Sequence, residues 1–425
     1  MTDIDLLVIG GGPAAMAAAV SAHDNGIKNI LLIERADRLG GILPQCIHPG
    51  FGLVYFKEDL TGPEYAARFV KLVSDAKINV KLNTMALRIE PGESALIATV
   101  SNKTDGAMRI KTRAVVLAMG CRERTRGAIN IPGARPSGVM TAGTAQRFVN
   151  LEGYLPGNEI VVLGSGDIGL IMSRRMTLEG ARVISVLEAM PYSGGLKRNI
   201  VQCLEDYDIP LKLSHTVVRI HGTRRIEGVT SAWVDKNFKP VAGTEEYIPC
   251  DMLMLSVGLI PENELSRKCG IILDAATGGP EVDDSMQTSV PGIFACGNVV
   301  HVHDLVDYAT QESVLAGRRA AEYILGKCSV GGVISTIAGR GVRYIVPQRI
   351  NAGAQSPVRL FYRVTDVMSN ITATVKKDGE IIKKIKRRHA APGEMETIDI
   401  ETEFLQTTGT LSLELDSERE AAGGN

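Results

Sequence analysis

The stretch "DLLVIGGGPAAMAAAVSA", residues 5–22, constrains this chain more than any other. Residues 5–9 form a short apolar run of the kind that makes a buried parallel strand. Gly10, Gly12 and Ala15 then fit the pattern G-x-G-x-x-[GA], and the alanine-rich residues that follow predict a helix. A second strand, "NILLIE", ends in Glu34, 19 positions after Ala15. The first glycine permits a tight turn, and the second lets backbone N–H groups approach a pyrophosphate. The small third residue lets helix and strand pack closely, and the acid accepts hydrogen bonds from a ribose. A glycine-rich turn alone is weak, but one placed between strand and helix with its acid at this spacing points to a dinucleotide.

The unit occurs twice. In "EIVVLGSGDIGLIMSRRMTLEGARVISVLE", Gly164, Gly166 and Gly169 follow a strand, and Glu188 closes the next strand, again 19 positions on. Two separate dinucleotide-binding domains, facing each other's ligands, are therefore expected.

A chain of 425 residues is long enough for two or three such domains. Its net charge of -1 speaks against a nucleic-acid binder working through overall field. The seven cysteines (46, 121, 203, 250, 269, 296 and 328) include no C-x-x-C and no zinc spacing, so neither a disulfide framework nor a cluster is expected. Free thiols, an N-terminus without signal-peptide features and the lack of an 18-residue apolar run predict a cytoplasmic protein with no membrane span.

Three further segments carry a resemblance. "AVVLAMG" (114–120), "SVGLIPENEL" (256–265) and "TSVPGIFACGNV" (288–299) are similar, in order, to the two crossover segments and the flavin-contacting segment of the pyridine nucleotide–disulfide oxidoreductase superfamily. With the two fingerprints they cover about residues 1–330. The resemblance implies an α/β fold with a discontinuous FAD domain (1–125 and 260–330), an inserted NAD(P)H domain (126–259) and a C-terminal remainder. It implies FAD held through Gly10, Gly12, Pro13, Ala15, Glu34, Arg35, Gly41, Ala118, Gly120, Gly297 and Asn298. The nicotinamide dinucleotide would be held through Gly164, Gly166, Ile168, Gly169, Glu188 and Gly258. Asn298 stands where these proteins usually have Asp, which weakens a charge-assisted bond to the ribityl chain. Glu188, with no Lys or Arg before Lys197, favours NADH over NADPH because a carboxylate repels a 2′-phosphate.

"MGCRERTRGAINIPGARPSGVMTAGTAQ" (119–146) narrows the resemblance to FAD/NAD subunits of heteromeric amine, opine and cyanide-forming dehydrogenases. With "GGILPQCIHPGFGL" and "GNVVHVHDLVDYAT", the chain also resembles the reductase-like partner of anaerobic glycerol-3-phosphate dehydrogenases. Both imply an electron-transfer partner, in a homo- or hetero-oligomer.

"LPQCIHPGF" (43–51) holds the first candidate catalytic pair, Cys46 and His48. The dithiol pattern of disulfide reductases, laid on Gly40 and Gly41, puts its cysteines at Leu43 and His48, so that dithiol is excluded. Cys46 is open to three readings: a packing residue, a single redox thiol, or a partner contact. His48 is either a proton donor near the flavin or a hydrogen-bonded loop histidine. A second cluster, His301, His303, Asp304 and Asp307, is expected at a helix start beside the flavin, with His303 as a further catalytic candidate. No metal site is expected there for want of a further ligand.

Beyond Gly326, alternating β-branched runs and the Asp378-Gly379 turn predict a β-sandwich-like domain over 340–416, ending in a frayed tail, 417–425. Its run Lys376, Lys377, Lys383, Lys384, Lys386, Arg387 and Arg388 reads as a solvated face or a dock for an acidic partner. The function expected is hydride exchange between NADH and FAD with electrons passed to or from a partner protein. The alternatives are a stand-alone NADH oxidase or peroxidase using Cys46, and a non-catalytic flavin-binding scaffold or redox sensor.

Overall fold

The computed structural model describes residues 2–93, 95–327 and 331–417. Cys328 and the expected tail beyond residue 417 lie outside them. The chain divides into two units, Met1–Cys121 with Pro261–Asn425, and Arg122–Ile260.

The first unit begins with β1 (Thr2–Ile9), α1 (Pro13–Asp24) and β2 (Ile30–Ile33). β1 pairs in parallel with β2 and, on its other side, with β3 (Gly106–Leu117). Leu6, Leu7, Val8 and all of β2 are buried because helices or loops cover both faces of a parallel sheet. Five of the six alanines of α1 (15, 17, 18, 19 and 22) are buried, so this helix lies close to its neighbours on more than one side.

In the second unit, β4 (Val139–Thr141), β5 (Glu159–Leu163), β6 (Arg182–Glu188), β7 (Leu211–Leu213) and β8 (Met252–Leu255) form one parallel sheet in the order β4-β8-β5-β6-β7. α2 (Asp167–Leu178) follows β5 as α1 follows β1. The repeated fingerprint is thus a repeated strand–turn–helix.

The chain returns to the first sheet with β9 (Ile293–Ala295), which pairs with β3, and then forms α3 (Val306–Ile324). The remaining residues make two sheets. One contains β10 (Val333–Ala338), β11 (Arg349–Asn351), β12 (Met368–Lys377), β13 (Glu380–Ala390) and β14 (Gly409–Ser417), in the order β11-β10-β14-β12-β13. The other joins Val342–Val346, Val358–Val364 and Glu396–Ile400. The first of these strands begins at Val333, seven residues before the expected boundary. Asp378 and Gly379, at φ 50° and 90°, make the hairpin between β12 and β13.

Strand Val358–Val364 decides where this region sits. Leu360 and Tyr362 belong to the core shared by its two sheets, whereas Phe361 belongs to the core of the nucleotide-binding part. Alternate side chains point to opposite faces, so the strand is apolar on both. The C-terminal region is accordingly a docked part of the first unit with a core of its own. Its basic run is largely neutralised: Lys376 pairs with Glu414, Lys383 with Glu401 and Arg387 with Glu396. Lys384, Lys386 and Arg388 alternate on the exposed face of β13, an edge strand. Among the described residues, no helix is long and apolar enough to cross a membrane.

Candidate functional site

The two fingerprints share one steric device. Gly10 has φ 121° and a Cβ there would lie 2.4 Å from the Ala118 carbonyl oxygen. Gly164 has φ 100° and its Cβ would lie 2.0 Å from the Ser256 carbonyl oxygen. In each unit the neighbouring strand's exit crosses so close to the fingerprint turn that only glycine fits. At Gly12 and Gly166, by contrast, nothing comes within 3.7 Å of a Cβ, which leaves the backbone at the start of each helix open to a bulky group. These openings at the N-termini of α1 and α2 fit the diphosphate of a dinucleotide.

Each fingerprint has its acid in place. Glu34 Oε1 accepts from the Ala36 N–H at 2.7 Å. Glu188 Oε2 accepts from the Ser165 N–H at 2.9 Å and Ser165 Oγ at 2.7 Å, and its Oε1 accepts from the Met190 N–H. Ser165, the middle residue of the second fingerprint, was not singled out from sequence, yet it anchors the carboxylate. The loop after Glu188 is tied down as well. Ser165 Oγ accepts from the Gly194 N–H, while Asp167 Oδ1 accepts from the Leu196 N–H and from Asn199 Nδ2. Lys197 and Arg198, exposed at the next helix start, are therefore held near α2 rather than remote from it.

Within the second unit, a cleft of about 600 Å³ opens beside Thr141 and Leu255, the ends of β4 and β8, with Arg126 and Arg135 on its wall. The C-terminal ends of parallel strands are where open α/β sheets bind ligands. Of the other candidates, Pro13 and Ile168 lie in the first turns of α1 and α2, Arg35 and Gly41 are exposed beside Glu34 and Gly12, and Gly120 and Gly258 follow the strands that cross the fingerprints. Asn298 is turned to local work: its Oδ1 accepts from the His303 N–H at 3.0 Å and its Nδ2 donates to Cys121 Sγ.

Cys46 and His48 each have a local backbone partner. Cys46 caps a one-turn helix, Leu43–Gln45, with its Sγ donating to the Ile42 carbonyl, and its Cβ sits against Gly62. Burial pushes this thiol up to about 12, the reverse of an activated thiolate. Alkylation of Cys46 at neutral pH is expected to run on the order of 10³-fold slower than for a free thiol, from the thiolate fraction alone. Peptide mapping after timed iodoacetamide treatment reads this directly, and rapid labelling would restore the redox-thiol reading. His48 Nδ1 lies 3.0 Å from the Pro49 carbonyl oxygen, with its ring 5.1 Å from Phe51, as befits a loop histidine.

The second cluster departs further from expectation. The helix begins at Val306, after His301 and His303 rather than at them. Asp307 is buried and accepts from the N–H groups of Gly52 and Tyr55, fastening the loop that follows His48. Asp304 pairs with Arg363 of the C-terminal region. Arg363 also donates to the Val302 and Pro392 carbonyls and to Tyr344 Oη, each at 3.1 Å. His301 and His303 lie inside, against the ring of Phe361, and both face Glu312 of α3. The His303 side chain is thus enclosed, 1% exposed.

Glu312 was missed from sequence. Its signal was a glutamate on the helix face that also carries Ala309, Ser313, Ala316 and Ala320, all buried. Burial would raise its carboxyl, but the two imidazoles outweigh that and hold it at about 2. Burial keeps the His301 imidazole below its usual range, with His303 beside it adding to the effect.

A family model described as "Pyridine nucleotide-disulphide oxidoreductase" matches residues 4–313. The hydrogen cyanide synthase subunit HcnB of Pseudomonas protegens is 25% identical over 343 residues, 75% of this chain and 70% of that protein. An opine oxidase subunit of Agrobacterium tumefaciens is 27% identical over 336 residues, 75% of this chain and 64% of that one. The structure of Lactococcus lactis thioredoxin reductase superposes with a TM-score of 0.62 at 21% identity, covering 76% of this chain and 99% of that one, a likeness of fold. With two fingerprints, each on a run of parallel strands, and a family match over most of its length, the chain belongs to the pyridine nucleotide–disulphide oxidoreductase family and is an FAD-dependent NAD(P)H oxidoreductase.

Proposed function

We propose that this protein exchanges hydride between NADH and FAD and passes the electrons to or from a partner protein. The observation that carries the reading is the pair of complete fingerprints in a chain with no dithiol. None of the described cysteines is in a disulfide, and Cys46, the one nearest the disulfide-reductase positions, has its thiol held protonated by desolvation. Bound FAD supplies the capacity to take up two electrons as hydride and release them singly or together.

The chain's own residues bind and orient. The backbone N–H of Gly12, just ahead of Pro13, and those of Gly166 and Asp167 face the diphosphates, with Glu34 and Glu188 on the ribose hydroxyls. Glu188, fixed by Ser165 and Met190, favours NADH because its charge repels a 2′-phosphate. Lys197 and Arg198 are the local source of positive charge that would favour NADPH instead.

Two relatives are named as subunits, of hydrogen cyanide synthase and of opine oxidase, which supports a partner-dependent role. On this reading the chemistry on a small amino or hydroxy compound, glycerol 3-phosphate among the candidates, takes place on a separate polypeptide. Anaerobic stopped-flow mixing of the flavoprotein with each nucleotide tests the proposal. NADH should bleach the flavin at least about 10-fold faster than NADPH, a difference of about 1.4 kcal/mol. Cys46→Ser should bleach like the parent. Collapse of that variant would favour an oxidase or peroxidase, and no bleaching by either nucleotide would favour a flavin-binding scaffold.

A further inference from the structure

The fold does not by itself require His301, His303 and Glu312 to meet. The histidines come from an irregular segment and turn inward on either side of Val302, while Glu312 comes from the buried face of α3. Their side chains are at most 2% exposed. Glu312 Oε2 lies 2.9 Å from His301 Nε2 and 3.4 Å from His303 Nε2, and one ligating atom from each residue falls within 4.8 Å of the others. Both ring nitrogens of His303 and Nδ1 of His301 are buried with no hydrogen-bond partner, an arrangement that costs about 1–3 kcal/mol per group. Among the described residues, no Lys or Arg forms an ion pair with this carboxylate. Arg363, packed beside the cluster, is committed to Asp304.

We propose that His301, His303 and Glu312 bind a zinc ion through the two Nε2 atoms and Oε2, with water as the fourth ligand. Zinc–nitrogen bonds of about 2.0–2.1 Å in a tetrahedron put neighbouring ligand atoms about 3.3–3.4 Å apart, and the two carboxylate–imidazole separations, 2.9 and 3.4 Å, are near that spacing. The ion gives the enclosed carboxylate its missing positive partner and engages His303 Nε2. The other carboxylate oxygen accepts from the Gly297 N–H at 2.6 Å, which fixes its orientation as an outer-shell contact does. Phe361 and Tyr344 form an aromatic wall over the histidines. A cavity of about 320 Å³, lined by Glu312 and Phe361 together with Gln311 and Arg319, adjoins the cluster and offers the entry path and room for the fourth ligand. The C-terminal β region would then serve to close a metal site, and the same three residues would tie that region to the Gly297 loop.

Cobalt is the probe. The full-length flavoprotein, stripped with a chelator and titrated with Co²⁺, should take up one equivalent, with d–d absorption on the long-wavelength side of the flavin and displacement by Zn²⁺. His303→Ala, with its flavin content verified, should bind more than about 100-fold more weakly, since even outer-shell partners are worth 10–100-fold. Glu312→Gln keeps an oxygen for the Gly297 N–H and should also lose the band. Uptake by the parent no greater than by His303→Ala, or cobalt bound without a d–d band, would overturn the site and leave a shared proton to hold the cluster.

Discussion

Gly164→Ala is expected to slow flavin reduction by NADH at least about 100-fold while the protein keeps its flavin. The new Cβ would fall 2.0 Å from the Ser256 carbonyl oxygen, and the residue would be held at φ 100°. Forcing a side chain into such backbone costs about 1–3 kcal/mol before the clash is counted. The turn must therefore shift, and with it the N–H groups at the start of α2. A displacement of about 1 Å in a positioning element is worth about 10² in rate. Stopped-flow traces beside the flavin-to-protein ratio provide the check. Wild-type reduction by this variant would show that the second fingerprint is not the hydride site. Gly10→Ala, whose Cβ would meet the Ala118 carbonyl at 2.4 Å, should instead purify with little flavin.

Arg363→Ala is expected to destabilise the first unit by about 2–3 kcal/mol, because it removes the charge-assisted hydrogen bonds of a half-buried ion pair. The side chains of Arg363 and Asp304 are 12% and 19% exposed, and Arg363 also satisfies two carbonyls and the Tyr344 hydroxyl. Its loss leaves Asp304 without its cation at the seam that holds the C-terminal region in place. Thermal unfolding followed by flavin fluorescence should fall by on the order of 10 °C. The double variant Arg363→Met with Asp304→Asn should recover part of the loss, because both charges are then gone. A shift within a degree or two for Arg363→Ala would mean that the C-terminal region is held by apolar contact alone.

The nucleotide-binding architecture was written locally, and for that reason it could be read without a structure. A turn that only glycine can make, a helix start beside it and an acid at the next strand's end lie within about 25 residues. Each residue's task there is set by its immediate neighbours in the chain. The hairpin at Asp378-Gly379 was legible on the same ground, since two positive φ values within a two-residue loop select those residue types.

What sequence left undecided depends on partners far along the chain. The surroundings of Cys46 come from the Ile42 carbonyl and from Gly62, 16 residues later. The position of Lys197 and Arg198 rested on bonds to Ser165 and Asp167 about 30 residues earlier. The meeting of His301 and His303 with Glu312, and the docking of Phe361 and Arg363 on them, arises from a strand apolar on both faces. Alternation identifies such a strand as buried but does not say against what. Sequence by itself determined the two dinucleotide folds, because their pattern is a property of short segments. Tertiary structure alone decided which side chains became desolvated together, because burial and charge pairing depend on everything that surrounds a group.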